Sequence, residues 1–146
     1  MQANFSIVGG LAALAMTLSV VAAPPAKVEP SHPLVGVWQF RLPDGSCTET
    51  YLIRADGTTT VKSGEERSES AFEISPKPSA KGFYRWTDRV TRTNGKPDCG
   101  GGKTPIGQRT TLYVRMSPSS DAMILCADET LERCIGPLVR MEAQEL

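Results

Sequence analysis

From residue 34 onward the apolar residues fall in short runs, many of them alternating with polar ones, and turn dipeptides separate them at intervals too short for helices. Residues 35–42 form the first run, closed by Pro43-Asp44-Gly45; 47–54 is the next, closed by Ala55-Asp56-Gly57; 58–62 follows, closed by Ser63-Gly64. Residues 68–74, 82–93, 110–116, 122–126 and 134–141 complete a set of eight. In the first run Trp38, Phe40 and Leu42 share one face and Gln39 and Arg41 the other. Leu112, Val114 and Met116 do the same against Thr111, Tyr113 and Arg115. One face is therefore expected inside. The charged stretch 128–133 is too short for more than a helical turn. The pattern predicts an all-β fold: an antiparallel up-and-down meander of about eight strands closed into a small barrel, which removes exposed edges. An open barrel or a β-sandwich is the alternative.

Ahead of this pattern lies a different kind of sequence. No charged residue precedes Lys27, and the run 5–23 is apolar and rich in alanine and glycine, ending Val20-Val21-Ala22-Ala23-Pro24. It reads as a secretory signal over residues 1–22, cleaved after Ala22, because Pro24 would be a poor fit just past a cut after Ala23. An uncleaved anchor is the alternative. The roughly 120 residues after the leader are enough for one core; residues 23–33, with Pro24, Pro25, Pro30 and Pro33, read as an extended tether, and 34–146 as a single domain.

The 4 cysteines agree with export. An even count in a short chain behind an apolar leader indicates disulfides made in an oxidising compartment, so the expected location is periplasmic or secreted. Cys126 and Cys134 flank a short segment that would be a hairpin loop, placing the two sulfurs opposite each other, which leaves Cys47 with Cys99. Four cysteines permit two other connectivities, and these stay open.

Charge and chemistry then narrow the function. The 16 Lys and Arg balance 16 Asp and Glu, so neither nucleic acid nor a membrane surface is an expected partner once the signal is removed. With a single histidine, His32 in the tether, no metal site, cofactor or thiol catalysis is expected. Gly101-Gly102-Lys103-Thr104 is not a phosphate loop, since Pro97 stands where the pattern needs glycine and no helix follows. Glu65, Glu66, Glu69 and Glu73 form the densest acidic cluster, but Glu65, Glu69 and Glu73 fall on one strand face alternating with Ser68, Ser70, Phe72 and Ile74, so a surface role is expected rather than a catalytic pair. No catalytic residue is assigned and the protein is not expected to be an enzyme. The glycine-rich stretch 94–108 reads as a long loop between two long strands, anchored by Cys99, with Lys96, Asp98 and Lys103 exposed as a contact surface.

The opening Leu34-Val35-Gly36-Val37-Trp38 resembles the first strand of small secreted lipocalin-like (calycin-type) proteins, whose Gly-x-Trp places the tryptophan at the closed end of a barrel. Thr87-Asp88 is similar to a later pair in that family, although Arg89 stands where the family has tyrosine. The resemblance implies structural roles for Gly36, Trp38 and Arg140, the last as an arginine stacked on the tryptophan. It also implies a pocket for a small apolar ligand, with Tyr51, Tyr84 and Trp86 as candidate lining residues. The expected function is thus binding of a small apolar ligand. The alternative is a protein-interaction module, such as an inhibitor or immunity protein, that meets an envelope protein through the 94–108 loop.

Overall fold

The computed structural model of the protein describes residues 23–142; the expected signal 1–22 lies outside the described residues, as do the final residues 143–146. Eight strands succeed one another: β1 (Gly36–Arg41), β2 (Thr48–Ile53), β3 (Thr58–Ser63), β4 (Glu66–Ile74), β5 (Phe83–Thr93), β6 (Arg109–Met116), β7 (Ala122–Cys126) and β8 (Cys134–Met141). Each pairs antiparallel with the next, and β8 returns to β1 through Val37↔Met141, Trp38↔Arg140 and Gln39↔Val139. The expected meander is present in its closed form, so every strand edge is paired.

Turn chemistry sets the hairpins. At the β2–β3 turn the Asp56 carboxylate accepts from the Thr58 N–H at 2.9 Å and from its hydroxyl at 2.6 Å, while Gly57 takes φ 82°, a left-handed conformation in which a Cβ is disfavoured. Meander order puts the β1–β2, β3–β4, β5–β6 and β7–β8 connections at one end, here the mouth, and the remaining connections at the other.

That other end is plugged. Trp38 is fully buried and its indole N–H donates to the Leu34 carbonyl at 2.8 Å. The Arg140 guanidinium lies 4.2 Å over the Trp38 ring and donates to the carbonyls of Val35 and Ser120 at 3.0 Å each, and to that of Pro33. Gly36 has φ 143°, and a Cβ there would meet Arg140 Nη1 at 2.5 Å, so glycine is what lets the arginine cross the strand. The three residues read as structural meet at one place.

The segment read as a free tether departs from that expectation, because its second half docks on the plugged end. The Val28 N–H donates to the Ala55 carbonyl at 2.8 Å and its side chain packs against the core. His32 is 7% exposed; the Leu34 N–H donates to its Nδ1 at 3.2 Å, its Nε2 lies 3.2 Å from the Ser75 carbonyl, and its ring meets Tyr84 edge-on at 4.8 Å. Proline content suggested an extended, solvated chain. The barrel end offers backbone groups and apolar surface that such a chain can cover.

The main core cluster sits in the half of the barrel nearest the plug, where Leu34, Trp38, Ile53, Phe72, Trp86 and Leu138 pack with neighbours from β6 and β7. Phe72 and Trp86 meet edge to face at 5.8 Å. Phe40 and Tyr84 pack against this cluster from its margin. Each fully buried apolar side chain of this size contributes roughly 1.5–3 kcal/mol, and the interior of an eight-stranded barrel is just wide enough to be filled by such side chains or to hold one small ligand.

Candidate functional site

Inward-facing positions change character along the barrel. On β4 the inward sequence runs Glu66, Ser68, Ser70, Phe72, so it begins polar at the mouth and becomes apolar towards the plug. On β2, Glu49 and Tyr51 precede Ile53, and on β5 Asp88 follows Trp86 towards the mouth. The result is a cavity of about 200 Å³ in the mouth half, walled by Glu49, Tyr51, Ser63, Glu66, Ser68, Ser70, Asp88 and Thr110, with Val61 and Val90 as its apolar members. Asp98, Thr104 and Gln108 of the 94–108 loop complete the wall.

The loop lies across the mouth and is fixed there. The N–H groups of Glu65 and Glu66 donate to the Pro97 carbonyl at 3.2 and 3.0 Å, the Cys99 N–H donates to the Ser63 hydroxyl at 3.0 Å, and the Thr104 N–H donates to Glu66 Oε1 at 3.0 Å. Cys99 is bonded to Cys47 of the β1–β2 connection, a staple spanning the opening, while Cys126 and Cys134 close the β7–β8 hairpin. Both pairings are those the hairpin spacing favoured. Asp98, expected as an exposed contact, is half-buried and shapes the loop: its carboxylate accepts from the N–H groups of Gly100 and Gly102 at 2.9 and 2.8 Å. Lys96 and Lys103 are exposed.

Carboxylates dominate the electrostatics of the cavity. Glu49 accepts from the Tyr51 and Ser63 hydroxyls at 2.6 Å each. Burial, followed by the Glu49 charge, drives the Tyr51 phenol far above its ordinary range, so it stays a donor. Burial also raises the Asp88 carboxyl, with the Ser70 hydroxyl acting in the opposite sense. Among the described residues no Lys or Arg lines the cavity, and the two ion pairs, Arg92 with Glu69 and Arg133 with Asp128, are exposed and elsewhere.

Glu65 and Glu73 are exposed and Glu69 is half-buried, in keeping with a solvent face, whereas Glu66, the member of the acidic cluster that falls on the other face, is 3% exposed and part of the cavity wall. Its position is in phase with Ser68, Ser70 and Phe72, and that phase was the available signal; the abundance of neighbouring acids masked it. Asp88 was noted only as part of a family-like pair, and Glu49, Ser63, Ser68 and Ser70 were not singled out as site residues.

Of the three aromatics expected to line a ligand pocket, Tyr51 lines this cavity. Trp86 is buried in the apolar core and Tyr51 and Tyr84 both pack against that core, with Tyr84 also meeting His32 at the plugged end, so Tyr84 and Trp86 are not part of the cavity wall. A larger groove of about 610 Å³ runs beside the docked segment between Ala26, His32 and Ile74, outside the barrel. It is a seam left by a strap crossing the surface, and its lining includes Lys27, Glu29, Ser31, His32 and Glu73. Among the described residues no cluster of His, Cys, Asp and Glu has the arrangement of a metal site, and no helix is long and apolar enough to cross a membrane. The two disulfides suit an oxidising environment. Comparison with protein-family models, with curated proteins and with solved structures returns no match.

Proposed function

We propose that this chain is an exported, lipocalin-like binding protein that holds a small polar molecule in the mouth of its barrel and performs no chemistry on it. The observation that carries the reading is the division of the interior: the half near Trp38 is filled by side chains, and the remaining space lies in the polar half beneath the stapled loop. An apolar ligand is the less supported choice, because it would have to displace water from carboxylates and hydroxyls without replacing their hydrogen bonds. The volume, below the roughly 300–1,000 Å³ of sites for drug-sized molecules, favours a compact ligand. Export is supported by the disulfides and by the leader-like residues 1–22. Native mass spectrometry of protein released gently from the cell envelope, compared with denatured protein, tests the reading; a bound small molecule lost on denaturation is the expected result, and an apolar lipid-like adduct would refute it.

A second reading has one observation in its favour. Ile106 is 67% exposed on the loop that also presents Lys96 and Lys103, and the disulfide holds that loop in one conformation. A rigid loop with an apolar tip and flanking cations is a reasonable contact surface for an envelope protein. Cross-linking from position 106 in intact cells distinguishes this interaction module from a carrier of small molecules.

A further inference from the structure

Resting on the reading of the mouth cavity as a binding site, we infer that its ligand is a small organic cation bearing N–H donors, an ammonium or guanidinium compound. Two independent features of the cavity point the same way. The first is charge: Glu49, Glu66, Asp88 and Asp98 contribute to one wall system, and no cationic side chain among the described residues faces them. Like charges that share one cavity wall without a cation repel one another, and burial disfavours the Asp88 carboxylate, a condition that a bound positive charge relieves.

The second is unspent hydrogen-bonding capacity. Ser68 is 7% exposed, lines the cavity, and its hydroxyl makes no hydrogen bond among the described residues. The Thr59 hydroxyl, on the neighbouring strand opposite Ser70, is buried with no partner. Glu66 uses Oε1 to accept from Thr104 and leaves Oε2 without a partner. Buried polar groups in folded proteins are nearly always satisfied, so clustered exceptions beside a cavity mark where a ligand or solvent supplies the partners. The leftover groups that line the cavity are acceptors, the Glu66 oxygen and the Ser68 hydroxyl, which can turn a lone pair inwards; the Trp86 indole N–H, also buried without a partner, lies in the apolar half. A ligand that donates several N–H bonds and carries positive charge complements them; an anion meets repulsion, and a neutral molecule leaves the charge uncompensated. A bare divalent metal fits less well, because the carboxylates are spread around the wall and do not form a compact ligand set.

The test uses the oxidised protein and three sets of probes matched in size: propylammonium and methylguanidinium, their neutral counterparts propanol and methylurea, and propionate. Binding is followed by titration of backbone amide NMR shifts, with Glu66, Ser68 and Asp88 as reporters. The expected result is saturable shifts at those residues for the cations, with the neutral probes weaker by roughly tenfold or more, and none for propionate. Glu66→Gln keeps the bond from Thr104 and removes the charge; it should weaken cation binding roughly ten- to a hundredfold. Asp88→Asn provides the same comparison on another strand should the Glu66 variant fold poorly. Neutral probes binding as well as the cations, or Ca²⁺ saturating the same reporters while organic cations do not, would overturn the cation assignment. The first of those results would leave the small-polar-ligand reading standing. Folded protein whose mouth residues respond to none of the probes would refute both.

Discussion

The two disulfides make a quantitative prediction because they close loops of very different length. Cys47 and Cys99 are separated by 52 residues and Cys126 and Cys134 by 8. Removing a cross-link returns conformational freedom chiefly to the unfolded chain, and the chain-entropy relation gives about 4 kcal/mol for the long loop and about 2.5 kcal/mol for the short one at 25 °C. The native state should tolerate either loss, since the backbone bonds from Glu65 and Glu66 to Pro97 and from Thr104 to Glu66 do not depend on the staple. The assay is equilibrium urea unfolding of Cys47→Ala/Cys99→Ala and Cys126→Ala/Cys134→Ala beside the parent. The mouth variant should lose about 1.5 kcal/mol more than the hairpin variant, a difference of roughly 0.5–1.5 M in midpoint. Equal midpoints, or a greater loss from the hairpin variant, would refute the argument that the mouth staple acts as a long-range cross-link holding the loop in place.

Trp38→Ala should cost about 3–5 kcal/mol, because it empties the plug and removes the stacking surface under Arg140; a thermal melt within a degree or two of the parent would show that the tryptophan is not the plug. Stability should depend on pH through His32: burial lowers its folded pKa below the ordinary 6.5, so stability is complete above that value and declines as pH falls from about 6.5 towards the folded pKa. Melting temperatures from pH 5 to 8 should show that decline, and His32→Ala should reduce it; an unchanged slope in the variant would assign the dependence to other groups. Asp88→Asn should raise the melting temperature, since burial disfavours the carboxylate and raises its pKa; a lower melting temperature at neutral pH would contradict the desolvated site. Protein isolated from the envelope should begin near Ala23 and contain no free thiol, and alkylation under denaturing conditions without reductant checks the second point.

Much of the barrel was legible because strand alternation and turn chemistry are local. The runs 122–126 and 134–141 coincide with β7 and β8, and 47–54 contains β2, since Asp-Gly turns and period-two patterning mark both ends of a strand. The cavity was less legible for a physical reason. Alternation tells which face is inward but not how the inward face is divided along the barrel axis, and that division depends on the relative stagger of all eight strands. Tyr51, Tyr84 and Trp86 look equivalent as aromatics; Tyr51 pairs with Trp38 and Val61 but its hydroxyl reaches Glu49 at the cavity, whereas Trp86 stands opposite Ile74 and Leu112 near the plug. The docking of His32 was hidden for a similar reason, because a proline-rich segment carries no periodicity from which contact could be read.

On the proposed binding role, the acidic wall is a compromise between folding and binding. A barrel of this size could be closed at the mouth by apolar side chains, and Asp88, disfavoured as a carboxylate by its burial, opposes stability in the unliganded protein. The neighbouring carboxylates are held by the chain: the Tyr51 and Ser63 hydroxyls occupy the two oxygens of Glu49, and the Thr104 N–H holds Oε1 of Glu66 and leaves Oε2 over. Part of that scaffold comes from the loop, so the staple between Cys47 and Cys99 fixes binding groups as well as the fold. Preorganised acceptors with no partner in the chain are costly in the free protein and useful only if something arrives to satisfy them. For that reason Asp88→Asn is the most informative single substitution: a protein that becomes more stable and binds cations less well has lost function and retained fold, whereas one that becomes more stable with unchanged affinity places the ligand elsewhere.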